Sequence, residues 1–151
     1  MRVVVQRVGE ATVSVDGQTV ERIGHGLVVL VGIADGDSTE DVAAISAKLA
    51  SLRIFRDGDR KMNRSVVEVS GEVLVVSQFT LLADVRKGRR PSWVGAAAPG
   101  QAEMLIDALV QRLRSGGIPV RTGVFGASMQ VALINDGPVT IVLDTDRGRI
   151  L

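Results

Sequence analysis

The chain has no cysteine and only one histidine, His25, among its 151 residues. The absence of cysteine excludes disulfide bonds, thiolate nucleophiles and cysteine-ligated metals, and it is typical of a reducing compartment. A single histidine excludes a histidine-rich zinc site within one chain, and any Ser-His-Asp triad has to use His25. The sequence therefore predicts neither a metal nor a cofactor.

Excess charge and long apolar segments are also lacking. The chain has 18 Lys plus Arg against 17 Asp plus Glu, which does not indicate a general nucleic-acid binder. A protein that grips only the end of an RNA needs no more than local positive charge. The N-terminal apolar run, residues 3–5, is too short for a signal peptide or a membrane span. We expect a cytoplasmic protein without a membrane segment, built as a single domain of residues 1–151.

Strand patterns outnumber helical patterns along the chain. Apolar residues at three- and four-residue steps predict helices over residues 38–52 and 101–114, and Ser38 with Asp41 resembles a capping box. Valine-rich segments separated by turn residues predict strands, with a tight hairpin turn at Asp16-Gly17. The predicted strands comprise residues 2–8, 12–15, 18–23, 27–33, 66–69, 72–79, 118–124, 129–134 and 139–143. Two helices are expected to cover one side of layered sheets.

The segment Ser77-Gln78-Phe79-Thr80 places two hydroxyls, an amide and an aromatic ring at the end of an apolar strand. The two-residue period of a strand puts Ser77 and Phe79 on one face, with Gln78 and Thr80 on the other. A bend at the end of the strand would bring them together. Taken alone, the residues favour the simpler interpretation of a strand that ends in a polar loop.

The second unusual segment is Asn135-Asp136-Gly137-Pro138-Val139-Thr140. Asn-Asp-Gly between two apolar runs is a strong turn signal. Proline cannot donate a hydrogen bond to a strand ladder, so Pro138 has to lie at an edge or a strand start, whereas Gly137 has access to backbone angles barred to other residues. The residues alone predict a hairpin turn at this position.

Positive charge is densest at Arg86-Lys87-Gly88-Arg89-Arg90, and Arg60, Lys61 and Arg64 form a second cluster. Such runs are usually solvated surface, although phosphate binding is compatible with them. Trp93 follows the first cluster. Its ring either stacks on a base or anchors the loop to the core, and the sequence favours the anchor.

Taken together and in this order, the Ser77–Thr80 and Asn135–Thr140 segments resemble the two signature motifs of the D-aminoacyl-tRNA deacylase family. The resemblance covers the chain to about residue 143. Shorter similar segments are Gln6-Arg7-Val8, Lys61-Met62-Asn63, Arg90-Pro91-Ser92, Thr122-Gly123, Phe125-Gly126 and Met129. The resemblance implies a three-layer β/β/α fold with mostly antiparallel sheets and two helices. It also implies a symmetric homodimer with its active site at the interface, acting on the acceptor end of aminoacyl-tRNA.

The resemblance further implies roles for individual residues around Gly137 and Pro138. The peptide bond between them is cis in the family, and this pair enters the partner's pocket, where its carbonyl groups exclude an L side chain. Arg7 supports this loop. Phe125 and Met129 lie in the stretch that resembles the pocket for the terminal adenosine.

The reaction implied is hydrolysis of the ester of D-aminoacyl-tRNA, and of mischarged glycyl-tRNA, assisted by the ribose 2′-OH. Ser77, Gln78 and the local backbone are expected to orient the ester, and Phe79 to support the pocket wall. Thr80 is the rival candidate, as a covalent nucleophile, although no base is obvious for it. Two alternatives stay open: a conventional hydrolase that uses Ser77 or Thr80, with His25 as base, and a non-catalytic module that binds RNA ends.

Overall fold

The computed structural model describes every residue of the chain, from Met1 to Leu151. It contains nine strands, two α-helices and one 3-10 helix. In chain order these are β1 (Arg2–Val15), β2 (Gln18–Ile23), β3 (Gly26–Gly32), α1 (Thr39–Ser51), β4 (Phe55–Arg56), β5 (Met62–Arg64), β6 (Glu72–Ser77), the 3-10 helix (Phe79–Leu82), α2 (Pro99–Ser115), β7 (Val120–Thr122), β8 (Met129–Asp146) and β9 (Arg149–Ile150).

Most strands belong to a seven-stranded sheet with the order β7-β6-β3-β1-β8-β9, in which β2 also pairs with β1. Strand β1 runs antiparallel to β2, β3 and β8, whereas β6 runs parallel to β3 and β7. Strands β4 and β5 form a separate antiparallel pair. The predicted preference for antiparallel pairing is confirmed.

The two faces of the central strands bury different cores. In β3, Leu27 and Val29 belong to a core of 23 residues that includes the apolar faces of both helices. Val28, between them, belongs to a second core of seven residues with Val8 of β1 and Ile23 of β2. The sheet therefore curls so that part of it covers its own central strands, while the helices cover the opposite face. This arrangement confirms the three-layer β/β/α prediction and explains the unbroken apolar run of β3.

The ends of both helices follow their local sequence. The Ser38 hydroxyl accepts a hydrogen bond from the Glu40 N–H, and the Asp41 carboxylate accepts one from the Ser38 N–H at 3.0 Å, which confirms the capping box. Helix α2 begins at Pro99, two residues before its predicted start, because proline suits the first helical turn, and it ends at Ser115 with Gly116 as its C-cap. Neither helix is long and apolar enough to cross a membrane.

The prediction of a strand over residues 66–69 is wrong, because these residues form a turn. The Ser65 N–H donates to the Glu68 carboxylate at 2.7 Å, and the Glu68 N–H donates to the Ser65 hydroxyl at 3.3 Å. Such local side-chain bonds compete with a strand ladder. Val66 is fully buried although it is not in a strand. Its apolar character therefore led to an incorrect strand prediction.

The prediction of a hairpin turn after residue 134 is also wrong. Strand β8 continues through this point and stays paired with β1 on both sides of it. Because Val8 pairs with Asn135 and Gln6 pairs with Thr140, Arg7 alone lies opposite four residues of β8. Residues 136–139 therefore form an enlarged bulge, which we call the β8 bulge. The predicted strands 129–134 and 139–143 are one strand, as are 2–8 and 12–15.

Candidate functional site

A cavity of about 520 Å³ lies at the carboxyl ends of the parallel strands β3 and β6. Thirteen of its 17 lining residues are hydrophobic. Ile33 follows β3, and Ser77 is the last residue of β6. Phe125, in the segment that joins β7 to β8, and Met129, at the start of β8, also line the cavity. A largely apolar cavity with a few polar groups is the usual form of a small-molecule or cofactor site.

The end of β6 brings the predicted polar residues to the cavity wall. The Gln78 N–H donates to the Val31 carbonyl at 2.8 Å, which extends the pairing of β6 with β3 by one bond. The backbone then bends, and the 3-10 helix begins at Phe79. Because of this bend, Ser77, Gln78 and Phe79 all line the same cavity, although a regular strand would put Gln78 on the opposite face.

Thr80 occupies a different position from its neighbours. It is exposed and does not line the cavity, and its hydroxyl accepts a hydrogen bond from the Gln78 side-chain amide. His25 precedes β3, where Gly26 pairs with Glu72, whereas the cavity lies five residues farther along β6 at Ser77. Five strand residues span about 16 Å. Within one chain, His25 is therefore too distant to act as a base for Ser77.

No ionisable side chain lines this cavity. Two carboxylates, Glu103 and Asp107, line an adjoining cavity of about 200 Å³ that shares Ser77 and Phe125 with the first one. Negative charge beside Ser77 disfavours its ionisation to a nucleophile. No group of three or more His, Cys, Asp or Glu is arranged to hold a metal ion. The larger cavity thus offers hydrogen bonds and shape, rather than charge.

The β8 bulge is held by Arg7, whose side chain is almost fully buried. Its Nε donates to the Asp136 carbonyl at 3.0 Å and lies 3.1 Å from the Asp136 carboxylate, and its Nη1 donates to the Ile54 carbonyl. Asn135 adds a further bond, because its side-chain oxygen accepts from the Val139 N–H at 2.9 Å. A buried guanidinium needs such partners, and here they fix both ends of the bulge.

Only glycine fits position 137. Its φ is +135°, and a Cβ there would lie 2.8 Å from the Val139 Cγ2 and 3.0 Å from the Arg7 Nη2. The peptide bond from Gly137 to Pro138 is cis, and both residues are exposed. The sequence argument that Gly137 uses a backbone conformation barred to other residues is confirmed.

The β8 bulge and the cavity do not meet within one chain. Neither Arg7, Gly137 nor Pro138 lines the cavity. Val131 of β8 does, but Asp136 lies five residues farther along that strand, about 16 Å away at strand spacing. The structure therefore separates the two signature motifs into a cavity and an exposed bulge.

Trp93, for which the sequence weighed base stacking against a structural anchor and favoured the anchor, lines the cavity and meets Phe79 edge-on, with ring centroids 5.5 Å apart. Sequence reasoning missed the apolar wall of the cavity, which includes Ile33 and Ile106. Aliphatic residues of this kind carry no signal that separates a cavity wall from the core.

Comparison with known proteins decides the family. Residues 4–144 match the family model described as D-Tyr-tRNA(Tyr) deacylase. The chain belongs to this family. A protein named D-aminoacyl-tRNA deacylase from Thermomicrobium roseum is 57% identical over 145 residues, covering 96% of this chain and 94% of the relative. One of the same name from Chloroflexus aurantiacus is 56% identical over 150 residues, covering 99% of this chain and 94% of the relative. The family model ends at residue 144, in agreement with the expected end of the likeness near residue 143, whereas the alignment with the second relative continues into the C-terminal tail.

Solved structures agree on the fold of the family. A chain described as c-Myc DNA Unwinding Element Binding Protein superimposes with a TM-score of 0.92 and 40% identity, covering 97% of this chain and 99% of that chain. A probable eukaryotic D-amino acid tRNA deacylase gives a TM-score of 0.78 at 22% identity, covering 93% and 97%. The second likeness concerns the fold alone.

Proposed function

We propose that this protein is a D-aminoacyl-tRNA deacylase that hydrolyses D-aminoacyl-tRNA and mischarged glycyl-tRNA to free amino acid and tRNA. The observation that carries the proposal is a cavity that joins Ser77 and Gln78 to an apolar wall without an ionisable lining residue. The relatives' names support it. An ester between an amino acid and ribose is already reactive, and correct positioning alone contributes at best about 7–11 kcal/mol. The substrate places the protein in the cytoplasm, and residues 1–151 act as a single catalytic domain.

In this proposal the chain positions the ester and the RNA supplies part of the chemistry. Ser77, Gln78 and the local backbone orient the ester carbonyl and stabilise its developing negative charge. Phe79 supports the wall, and Phe125 with Met129 holds the terminal adenosine. The ribose 2′-OH assists a water molecule that attacks the carbonyl carbon. The bond between that carbon and the ribose oxygen then breaks, leaving the free amino acid and a ribose hydroxyl.

Rejection of L-amino acids requires a second copy of the chain. Gly137 and Pro138 of one copy enter the cavity of the other, where their carbonyl groups occupy the space that an L side chain needs. The distance between bulge and cavity within one chain supports this arrangement. The outer edge of β8 pairs only with β9, at Thr145 and Asp146, and an open edge of this length favours association. We call this Gly137–Pro138 pair in the partner's cavity the gate. Glycine has no side chain, so the gate does not exclude glycyl-tRNA.

The test compares D-aminoacyl-, L-aminoacyl- and glycyl-tRNA in parallel with the full chain. We expect hydrolysis of the D and glycyl forms, and a rate at least about 100-fold lower for the L form. Comparable hydrolysis of the L form contradicts the rejection mechanism. A substrate whose terminal ribose lacks the 2′-OH is expected to react at least about 100-fold more slowly. Tight tRNA binding without hydrolysis of any form favours the non-catalytic RNA-end-binding module instead.

Mixed dimers test whether the gate acts between copies. One copy carries Ser77→Trp, which fills its cavity, and the other carries Gly137→Ala, which disrupts its bulge. The Gly137→Ala chain alone is expected to hydrolyse both the D and the L forms. If the gate acts in trans, its intact cavity receives the intact bulge of the Ser77→Trp copy in a mixed dimer, so rejection of the L form returns on mixing. No return of that rejection, with dimers confirmed by analytical ultracentrifugation, contradicts the trans arrangement.

A further inference from the structure

We propose that Trp93 stacks on the nucleobase that precedes the terminal adenosine of the RNA, while Lys87, Arg89 and Arg90 contact the neighbouring phosphates. These residues belong to the segment of residues 84–93, which we call the rim loop. The inference rests on the proposed function, because it assumes that the cavity receives an RNA 3′ end. It concerns binding of that RNA, whereas the proposed function concerns what happens to its ester.

Backbone hydrogen bonds hold Trp93 at the cavity. Asp84 and Ser92 exchange two bonds, of 2.7 and 3.0 Å, which close the rim loop just before Trp93. Beyond it, the Asp35 N–H donates to the Gly95 carbonyl at 2.9 Å. The loop is thus tied down on both sides of Trp93 by its backbone. The indole ring is not needed as its anchor, which removes the main reason for the interpretation that the sequence favoured.

The Trp93 ring is available for contact. Its residue is 40% exposed although it lines the cavity, and the adjacent Phe79 is 57% exposed. The two rings meet edge to face, with 67° between their planes, so this contact covers at most one face of one ring. Exposed aromatic rings beside a basic groove are the usual means of binding single-stranded nucleic acid, because every base offers a face for stacking.

Most of the positive charge of the rim loop is unpaired. Arg86 is bound to the Asp84 carboxylate, with Nη2 and Oδ2 2.6 Å apart. This bond lowers the pKa of Asp84, so that carboxylate stays charged and occupied by Arg86. Lys87, Arg89 and Arg90 are exposed and form no salt bridge. Three free cations beside an aromatic rim match an RNA backbone with its bases splayed out.

The position of Trp93 favours the base before the terminal adenosine. Phe125 and Met129 are only partly exposed and line the cavity from a different part of the chain, the segment between β7 and β8 and the start of β8. The proposed function gives them the terminal adenosine. Trp93 lines the cavity and lies three residues after Arg90, which does not line it, so an RNA whose phosphates contact the basic residues of the rim loop passes Trp93 on its way into the cavity. The next base along that path is therefore the one within its reach.

Trp93 is the only tryptophan of the chain, so its fluorescence reports on this site directly. The test titrates the full chain with adenosine 5′-monophosphate, with the trinucleotide CCA and with uncharged tRNA. We expect CCA and tRNA to quench the fluorescence, and the mononucleotide to leave it nearly unchanged. Equal quenching by the mononucleotide means that Trp93 faces the terminal adenine, which overturns the assignment. Binding of CCA without quenching overturns it as well.

Substitutions separate stacking from packing. Trp93→Ala is expected to raise the Kd for CCA and the KM for D-aminoacyl-tRNA by about 10-fold or more, with kcat changed less than about two-fold. Trp93→Leu, which keeps apolar bulk but lacks an aromatic face, should behave like Trp93→Ala, and Trp93→Phe should recover most of the affinity. The control is Val94→Ala, because Val94 is 90% exposed and does not line the cavity. Unchanged KM in both Trp93→Ala and Trp93→Leu, or recovery by Trp93→Leu, overturns the proposal.

Salt dependence tests the phosphate contacts. For single-stranded nucleic acid, the slope of log K against log salt decreases in magnitude by about 0.7 for each phosphate contact removed. The double variant Arg89→Gln with Arg90→Gln should therefore lower the slope for CCA-ended tRNA by about 1.4. Arg149→Gln, in β9, is the control and should leave the slope unchanged. These measurements use uncharged RNA and therefore do not depend on hydrolysis. If the wild-type chain binds this RNA as expected but hydrolyses no aminoacyl-tRNA, the proposed function is contradicted while the RNA-binding proposal stands.

Discussion

Arg7 on β1 and Asp136 on β8 are joined twice, through the Asp136 carbonyl at 3.0 Å and its carboxylate at 3.1 Å from the same Nε atom. The Arg7 side chain is 2% exposed and that of Asp136 is 40% exposed. The contact therefore reaches from the core to the surface and fixes the start of the β8 bulge. Gly137 and Pro138 stay exposed beyond it, available to another copy of the chain.

Replacing Arg7 is expected to harm selectivity more than folding. Arg7→Met removes a charged donor from the Asp136 and Ile54 carbonyls and lowers the free energy of unfolding by about 2 kcal/mol. The bulge then loses its fixed position, so hydrolysis of L-aminoacyl-tRNA rises relative to the D form. Urea unfolding measures the first effect, and the ratio of D to L rates measures the second.

The control for this variant is Arg2→Met. Arg2 lies on the same strand and pairs with Asp144 at 2.8 Å, but its side chain is 46% exposed. Exposed pairs contribute about 0–1 kcal/mol, so stability and selectivity should change little. If both variants alter the ratio of D to L rates equally, Arg7 does not act through the bulge.

Gly137→Ala is expected to disable the gate while leaving the chain folded. The added Cβ clashes with Val139 and Arg7 and forces an unfavourable φ, at a cost of about 1–3 kcal/mol. Gly17→Ala is the matched control, because Gly17 also has a positive φ of +77° but has nothing within 4 Å of the added Cβ. Circular dichroism melting should show a loss in both variants. Selectivity should fall only in Gly137→Ala, and equal selectivity in the two contradicts the role of the bulge.

The hairpin prediction failed for a reason that a single sequence cannot reveal. Asn-Asp-Gly reverses the chain when the apolar runs on its two sides pair with each other. Here Val131 and Ile141, from the two runs, both pair with the same long strand, β1, at Val13 and Val5. The polar residues are accommodated as a bulge because Arg7 satisfies them from the opposite strand. The sequence pattern located the irregularity correctly but could not indicate that β1 is the strand with which it pairs.

The candidate site was predictable only where polar residues interrupt an apolar pattern. Ser77 and Gln78 stood out because they end a valine-rich strand, and both line the cavity. Ile106 shares that cavity, yet its spacing on α2 is that of any core residue. The relation between cavity and bulge depends on tertiary distances, and no local pattern encodes those.

Thr80→Ala is expected to keep most of the activity. Thr80 lies outside the cavity, and its hydroxyl holds the Gln78 amide. Loss of this neutral hydrogen bond costs about 1 kcal/mol, which corresponds to a decrease in kcat of about five-fold. Thr80→Ser should retain the wild-type rate. Near-total loss in Thr80→Ala with unchanged KM, together with an acyl-enzyme detected by mass spectrometry in the wild type, favours the covalent mechanism instead.

Asp41 makes stability depend on pH at the acid end. Burial alone raises the pKa of this carboxyl, but hydrogen bonds from the Gly148 and Ser38 N–H groups outweigh burial and hold the pKa below its ordinary value of 3.8. A lowered pKa in the folded state stabilises the chain above the pKa of the unfolded state, and this contribution is lost as pH falls through the folded value. Asp41→Asn should therefore be less stable than the wild type at pH 7, and the difference should shrink below about pH 4.

The measurement is the free energy of unfolding in urea between about pH 2.5 and about pH 7 for the wild type, Asp41→Asn and Asp146→Asn. Asp146 is exposed near the C-terminal turn and serves as the control, because Asp41 alone joins helix α1 to that turn through the Gly148 N–H at 3.0 Å. We expect the stability curves of the wild type and Asp146→Asn to run parallel, while that of Asp41→Asn converges on them in acid. A constant difference between wild type and Asp41→Asn at every pH contradicts the assignment, because it means that the carboxylate charge contributes nothing beyond the shape of the side chain.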